Sequence, residues 1–190
     1  MKLATLIAAP AVALLVTALA NAGDDLPAPW IQAGNAKQCH AAVASVSGGP
    51  APKAFSLSCN AGTQDFSTAM QQIQAGDYAG KRVRLSASVQ GEDLAQWAGI
   101  WMRADTPGRN GVAFDNMQNR PLKGSFGWRD VNVVLDIPAD ASLLSFGFIL
   151  EGAGALRATQ FKLEVVPGTV AVTAQAAQRL PTQPQHMSPP

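Results

Sequence analysis

The sequence predicts an all-β fold, an antiparallel β-sandwich, and two observations carry that prediction. Apolar and polar side chains alternate with period two through most of the middle of the chain, and Gly- or Pro-rich breaks interrupt the alternation at short intervals. Val83, Leu85, Ala87 and Val89 alternate with Arg82, Arg84, Ser86 and Ser88, and Val131, Val133, Leu135 and Ile137 with Asp130, Asn132 and Asp136. Leu144, Phe146, Phe148 and Leu150 repeat the pattern, as do Phe161, Leu163 and Val165 with Lys162 and Glu164 on the other face. Such alternation marks strands buried on one side. The breaks are Asp105-Thr106-Pro107-Gly108 with Asn110-Gly111, Ile137-Pro138, and Gly152-Ala153-Gly154, all turn-forming combinations.

The elements before these strands set the compartment. Met1-Lys2 precedes an apolar run from Leu3 to Ala20 that closes on Ala20-Asn21-Ala22, the pattern of a secretory signal with an A-x-A cleavage site. The alanine bias, Pro10 and the missing basic flank on the far side speak against a permanent span. Residues 1–22 are therefore expected to be removed, leaving a periplasmic or secreted protein with no membrane span. Cleavage takes Lys2, one of 14 basic residues, and none of the 13 acidic ones, so the mature chain is formally neutral. Neutrality removes the electrostatic drive for nonspecific nucleic-acid binding, and no nucleic acid is expected as a partner. Lys81, Arg82 and Arg84 read as the outer face of a strand. Residues 23–29 read as a short linker and 30–166 as one sandwich domain.

Two cysteines in an exported chain imply a bridge. Cys39 and Cys59 lie equidistant from Gly49, inside the turn-forming stretch Ser47-Gly48-Gly49-Pro50. A hairpin folded there brings the two sulfurs together and sets Ala41 opposite Leu57 and Val43 opposite Phe55. A redox or metal role finds no C-x-x-C spacing and no supporting histidines. For residues 66–74 two readings stay open. Phe66, Met70 and Ile73 fit a short helix behind Asp65, while the surrounding pattern favours a strand. From 167 to 190 the chain is Pro- and Gln-rich, with an edge strand expected at Thr169 to Thr173 and disorder in the last dozen residues.

Catalytic constellations are not found. His40 and His186 are the only histidines, no G-x-S-x-G elbow exists, and no Gly-rich phosphate loop precedes a helix. Asp115, Asp136 and Glu151 are the carboxylates that could converge in a glycosidase-like pair. The central stretch Trp97 to Arg103 is more telling. Trp97, Trp101 and Arg103 share parity, so an extended chain sets two indoles and a guanidinium on one face. Such a face suits a sugar ring or another planar group, with Asp115, Asn116 and Arg120 close enough in sequence to add directional hydrogen bonds. The alternative places both indoles in the core, with Arg103 paired to Asp115 or Asp105, and the burial habit of Trp favours it. In that case the segment Asp115 to Arg120 becomes either the functional edge or a latch between strands.

Gly80 to Ala87, Trp97 to Arg103, Phe114 to Met117, Arg120 to Gly124, Trp128 and Val133 to Pro138 together resemble a bacterial exported module of the galactose-binding-like jelly-roll type, similar in fold to carbohydrate-binding domains. The resemblance runs from about Trp30 to Val166. It implies a jelly roll, and often a structural calcium held by an Asp on the last strand. This chain offers Ala155-Leu156-Arg157-Ala158-Thr159 there, whereas calcium needs several hard oxygen ligands, so no cofactor is expected. The functional expectation is a non-catalytic binding module for carbohydrate or cell-envelope glycan. A protein-interaction module for an envelope protein or an enzyme is the second reading, and a small hydrolase working through acids around Asp115 the third.

Overall fold

The computed structural model describes residues 24–173. The segment expected to be a signal, residues 1–22, and the tail beyond Thr173 lie outside the described residues. Ten antiparallel strands form the fold: β1 (Asp24–Asp25), β2 (Ile31–Gly34), β3 (Cys39–Ser45), β4 (Lys53–Cys59), β5 (Phe66–Gln74), β6 (Arg82–Thr106), β7 (Arg109–Asp115), β8 (Leu122–Asp136), β9 (Leu143–Glu151) and β10 (Gly154–Val165). Among the described residues the only helical piece is a single 3-10 turn at Gly76–Tyr78.

Strand β6 belongs to both layers of the sandwich. Its first half pairs with β10 and β8, and its second half with β9 and β7. One layer therefore runs β1-β3-β4-β10-β6-β8 and the other β2-β5-β9-β6-β7. The crossing is made around Gly91 and Leu94, where the β6–β8 register slips repeatedly. A side chain at Gly91 would press within 2.4 Å of the Phe126 ring, so glycine lets the strand bend there. The alternating segments Arg82–Val89 and Trp97–Arg103 are thus one continuous element.

Between the layers lie Leu57, Val83, Leu85, Val133, Leu135 and Leu156 from the first and Ala98, Ile100, Met102, Leu144, Phe148 and Leu150 from the second. Each fully buried aliphatic or aromatic side chain stabilises the fold by about 1.5–3 kcal/mol. Trp30 joins them, its ring 4.4 Å from Phe55 and 5.1 Å from Phe161.

The hairpin has the register read from the cysteine spacing, with Cys39 opposite Cys59, Ala41 opposite Leu57 and Val43 opposite Phe55, and the disulfide closes it. Residues 66–74 are strand. Strand β5 pairs with β2 on one side and along its whole length with β9 on the other, so its backbone groups are satisfied by neighbours, as a buried segment requires. Two expectations are corrected at the margins. Asp24 and Asp25, read as part of a linker, pair with Val43 and Ala42. Thr169 to Thr173 is not an edge strand but a strap across β8. The Val170 N–H turns back to the Pro167 carbonyl, Arg82 donates to the carbonyls of Gly168 and Val170, and the backbone N–H of Thr173 donates to Val134. A turn at Pro167 and a guanidinium claiming two carbonyls leave no continuous ladder.

Candidate functional site

The outward face of the β2-β5-β9-β6-β7 layer is a groove of about 630 Å³. Its floor follows from period two. On β6 the even residues Ala98, Ile100 and Met102 enter the core, so Trp97, Gly99, Trp101 and Arg103 face the other way. Four cross-strand rows result. Arg103 stands beside Ser145 and Gln72; Trp101 beside Gly147, Met70 and Ile31; Gly99 beside Ile149, Thr68 and Ala33; and Trp97 beside Glu151 and Phe66. Gly147 leaves the Trp101 row without a central side chain, since a Cβ there would fall 2.1 Å from the Ala69 carbonyl oxygen.

Both indoles are set into this face and hydrogen-bonded to it. Trp101 is 7% exposed and donates from Nε1 to Thr68 Oγ1 at 2.7 Å, and that hydroxyl in turn donates to the Phe148 carbonyl. Trp97, 9% exposed, donates from Nε1 to Glu151 Oε2 at 2.6 Å. The tryptophans therefore line the groove without standing out from it, and they are absent from the core between the layers. Two large apolar groups open to solvent stand on its rims, Ile31 on β2 at 49% and Phe114 on β7 at 47%. Phe114 is the cross-strand neighbour of Arg103.

Of the six candidate residues, Trp97, Trp101, Arg103 and Asn116 meet in the groove. Asp115 and Arg120 do not. Arg103 pairs with Asp105 at 2.8 Å, and Asp105 also accepts the Gly111 N–H. Asp115 is instead gripped by Arg120 through two hydrogen bonds of 3.0 and 2.8 Å. It further accepts the Met117 N–H and the Thr173 hydroxyl, at 2.9 and 2.6 Å. Burial pushes the Asp115 carboxyl up, but the hydrogen bonds from Arg120, Thr173 and Met117 together outweigh it and hold the group below the ordinary carboxylate value. A carboxylate bound in this way cannot serve as a proton donor. Asp115 and Arg120 form the latch between strands, fixing the loop that carries Asn116 and Gln118 to the groove wall. Asp136 is occupied by Arg82 at a strand end, and only Glu151 of the three carboxylates lies in the groove.

The calcium that the resemblance implies does not fit the residues present. On β10, Arg157 extends a guanidinium to Glu92 at 3.0 Å, a cation where hard oxygen donors are needed. Among the described residues no three His, Cys, Asp or Glu side chains gather as metal ligands.

Sequence reasoning passed over Ile31, Phe66, Thr68, Gln72 and Phe114 as groove residues, and named Glu151 only as a member of a carboxylate pair. The available signal was parity, because Phe66, Thr68, Met70 and Gln72 alternate once the segment is read as strand.

The fold is an antiparallel β-sandwich of the galactose-binding-like jelly-roll kind. No family model matches the chain. The xylan-binding CBM22-1 domain of Paenibacillus barcinonensis Xyn10C superposes with a TM-score of 0.53 at 11% identity, over 71% of this chain and 85% of that one. A second CBM22 xylan-binding domain gives 0.53 at 13% identity over 80% and 99%. The enzymatically active domain of bacteriophage CBA120 tailspike protein 4 gives 0.58 at 12% identity, over 73% of this chain but only 20% of the tailspike chain. At these identities the likeness is one of fold. In sequence, 90 residues, 47% of the chain, are 41% identical to the uncharacterized HTH-type transcriptional regulator YbfP of Bacillus subtilis, and the match spans 30% of that protein. No α-helix, and so no helix-turn-helix, exists among the described residues.

Proposed function

We propose that the chain is an exported, non-catalytic binding module that holds a carbohydrate, such as a cell-envelope glycan, in the groove of the β2-β5-β9-β6-β7 layer. The observation that carries this reading is the groove's composition. Exposed apolar side chains stand on opposite rims, at Ile31 and Phe114, over a floor of indoles, Met70 and Ile149 with Gln72, Asn116, Gln118 and Arg103 among them. A sugar presents apolar C–H faces and a ring of hydroxyls, and such mixed walls fit it. The groove volume lies within the usual range for small-molecule sites, roughly 300–1,000 Å³. Export is supported by the signal-like leader and by the disulfide, since such bridges persist in oxidising compartments.

The test is a panel of soluble plant, microbial and envelope oligosaccharides titrated against intrinsic tryptophan fluorescence. At least one should shift the emission of Trp97 and Trp101, and Phe114→Ala should weaken that ligand by about tenfold, the scale of one stacked aromatic contact, with an unchanged melting temperature. Silence across the panel sinks the reading and favours the protein-interaction alternative. That alternative has its own support in β7, which pairs with β6 on one side only and carries the exposed Phe114, the kind of edge to which an extended partner segment adds.

A further inference from the structure

Glu151 is the feature of the groove that a neutral ligand does not explain. It faces the groove between two aromatic neighbours, with Trp97 opposite it on β6 and Phe66 opposite it on β5. Directly opposed positions hold Cβ atoms only about 4.5–5.5 Å apart, so both side chains adjoin Glu151, with the N–H edge of the Trp97 indole turned to the carboxylate. Its Oε2 accepts the Trp97 indole N–H, while Oε1 accepts no hydrogen bond from any described residue. No Lys, Arg or His among the described residues forms an ion pair with it. The other charged side chain lining the groove is Arg103, whose charge is already balanced by Asp105. The groove therefore carries one uncompensated negative charge, with Phe66 and the N–H edge of Trp97 as its neighbours.

An unpaired carboxylate in a groove with an aromatic neighbour recognises an ammonium group through a charge-assisted hydrogen bond, to which a neighbouring ring face such as that of Phe66 adds cation–π attraction. It also repels uronates and phosphates. We infer that the end of the groove built from Glu151, Trp97 and Phe66 is an ammonium subsite, and that the preferred ligand is a glycan bearing free, protonated amino sugars. This rests on the carbohydrate reading above and narrows it to a ligand class. The amino group sits against Glu151 Oε1, while the rest of the glycan extends over Trp101 toward Phe114 and Ile31.

The experiment compares a β-1,4-linked glucosamine tetramer with its fully N-acetylated counterpart on the full chain, by calorimetry at neutral pH. N-acetylation removes the positive charge from each nitrogen and adds an amide carbonyl and a methyl group. The free-amine tetramer should bind at least about tenfold more tightly, the scale of one charge-assisted contact, and that advantage should shrink as salt is raised. Glu151→Gln should remove the free-amine tetramer's advantage over the acetylated one. The substitution retains an amide oxygen to accept the Trp97 N–H, so the melting temperature serves as the check on folding. Equal affinities of the wild type for the two tetramers overturn the ammonium subsite, and if either binds the carbohydrate reading still stands. Failure of both tetramers and of the wider panel removes both readings. A lysine tetrapeptide binding more tightly than the glucosamine tetramer overturns the amino-sugar assignment in favour of a basic protein partner.

Discussion

At the scale of single residues, the contrast is between side chains that hold the groove and side chains that are free to use it. Trp101 belongs to the first group, because its indole N–H is committed to Thr68 and its ring is almost wholly covered. Trp101→Ala should cost about 3–5 kcal/mol, as large-to-small changes of buried aromatics do, so it reports on folding before it reports on binding. Asp115 belongs there as well. Its side chain is 4% exposed, whereas that of Arg120 is 32% exposed, so Asp115→Asn leaves a guanidinium that water can still partly reach. The expected loss is about 2–3 kcal/mol at pH 7, below the full figure for breaking a buried pair. The folded carboxyl titrates below its ordinary value. Its contribution is therefore complete above the unfolded value near pH 4 and is lost as pH falls through the lower, folded value. Urea melts should show the gap between wild type and Asp115→Asn constant from pH 7 to about 5 and narrowing below about 4. A gap that widened in acid would mean that the Arg120 and Thr173 contacts do not hold the carboxylate in solution.

At the scale of elements, the strap after Val166 is part of the groove although it never enters it. Thr173 Oγ1 accepts the Val134 N–H at 2.7 Å and donates to Asp115 at 2.6 Å. Asp115 in turn holds the Met117 N–H, with Met117 in a left-handed conformation at φ 63°. That turn delivers Asn116 and Gln118 to the groove wall. Thr173→Val keeps the shape and removes the hydroxyl, leaving a buried N–H unpaired and Asp115 short of a donor, at a cost of about 1–3 kcal/mol. Hydrogen exchange should quicken at Val134 and Met117 and stay unchanged at the core of β9; uniform exchange would show that the strap holds nothing in place. This coupling was not legible in the sequence, because it joins residues 58 positions apart through a short segment whose Thr169-Val170-Ala171-Val172-Thr173 pattern reads as an edge strand. Strands β6, β8, β9 and β10 were legible, since one face of each meets the core and the other does not. Strand β5 was ambiguous for a plain reason. Phe66 and Met70 satisfy helical and alternating spacing equally, and only pairing with β2 and β9 decides between them. The ammonium subsite was hidden in the same way, for Phe66, Trp97 and Glu151 become neighbours only once the register of three strands is set.

On the scale of the whole molecule, the disulfide acts on the groove from the opposite layer. It closes a 20-residue separation between β3 and β4, and constraining a loop of that size stabilises a fold by about 3 kcal/mol in the chain-entropy model. The bridge also fixes the start of β3, where Gln32 spans to the groove layer. Its Nε2 donates to the Cys39 carbonyl and to Ser67 Oγ on β5, and its Oε1 accepts the Ala41 N–H. Gln32 lies on β2, next to Ile31 on the groove rim. Reduction should therefore have two consequences of different size. The melting temperature should fall by about 6–12 °C, since 1 kcal/mol corresponds to about 2–4 °C in a domain of this length. Below the new midpoint, glycan affinity should weaken modestly, because the β2 rim loses its anchor while the β6 and β9 floor keeps its own pairing. Cys39→Ser with Cys59→Ser should reproduce both effects without reductant. If the double variant melts at the wild-type temperature, the staple is dispensable; if it melts lower yet binds with unchanged affinity, Gln32 does not transmit the constraint from the hairpin to the rim.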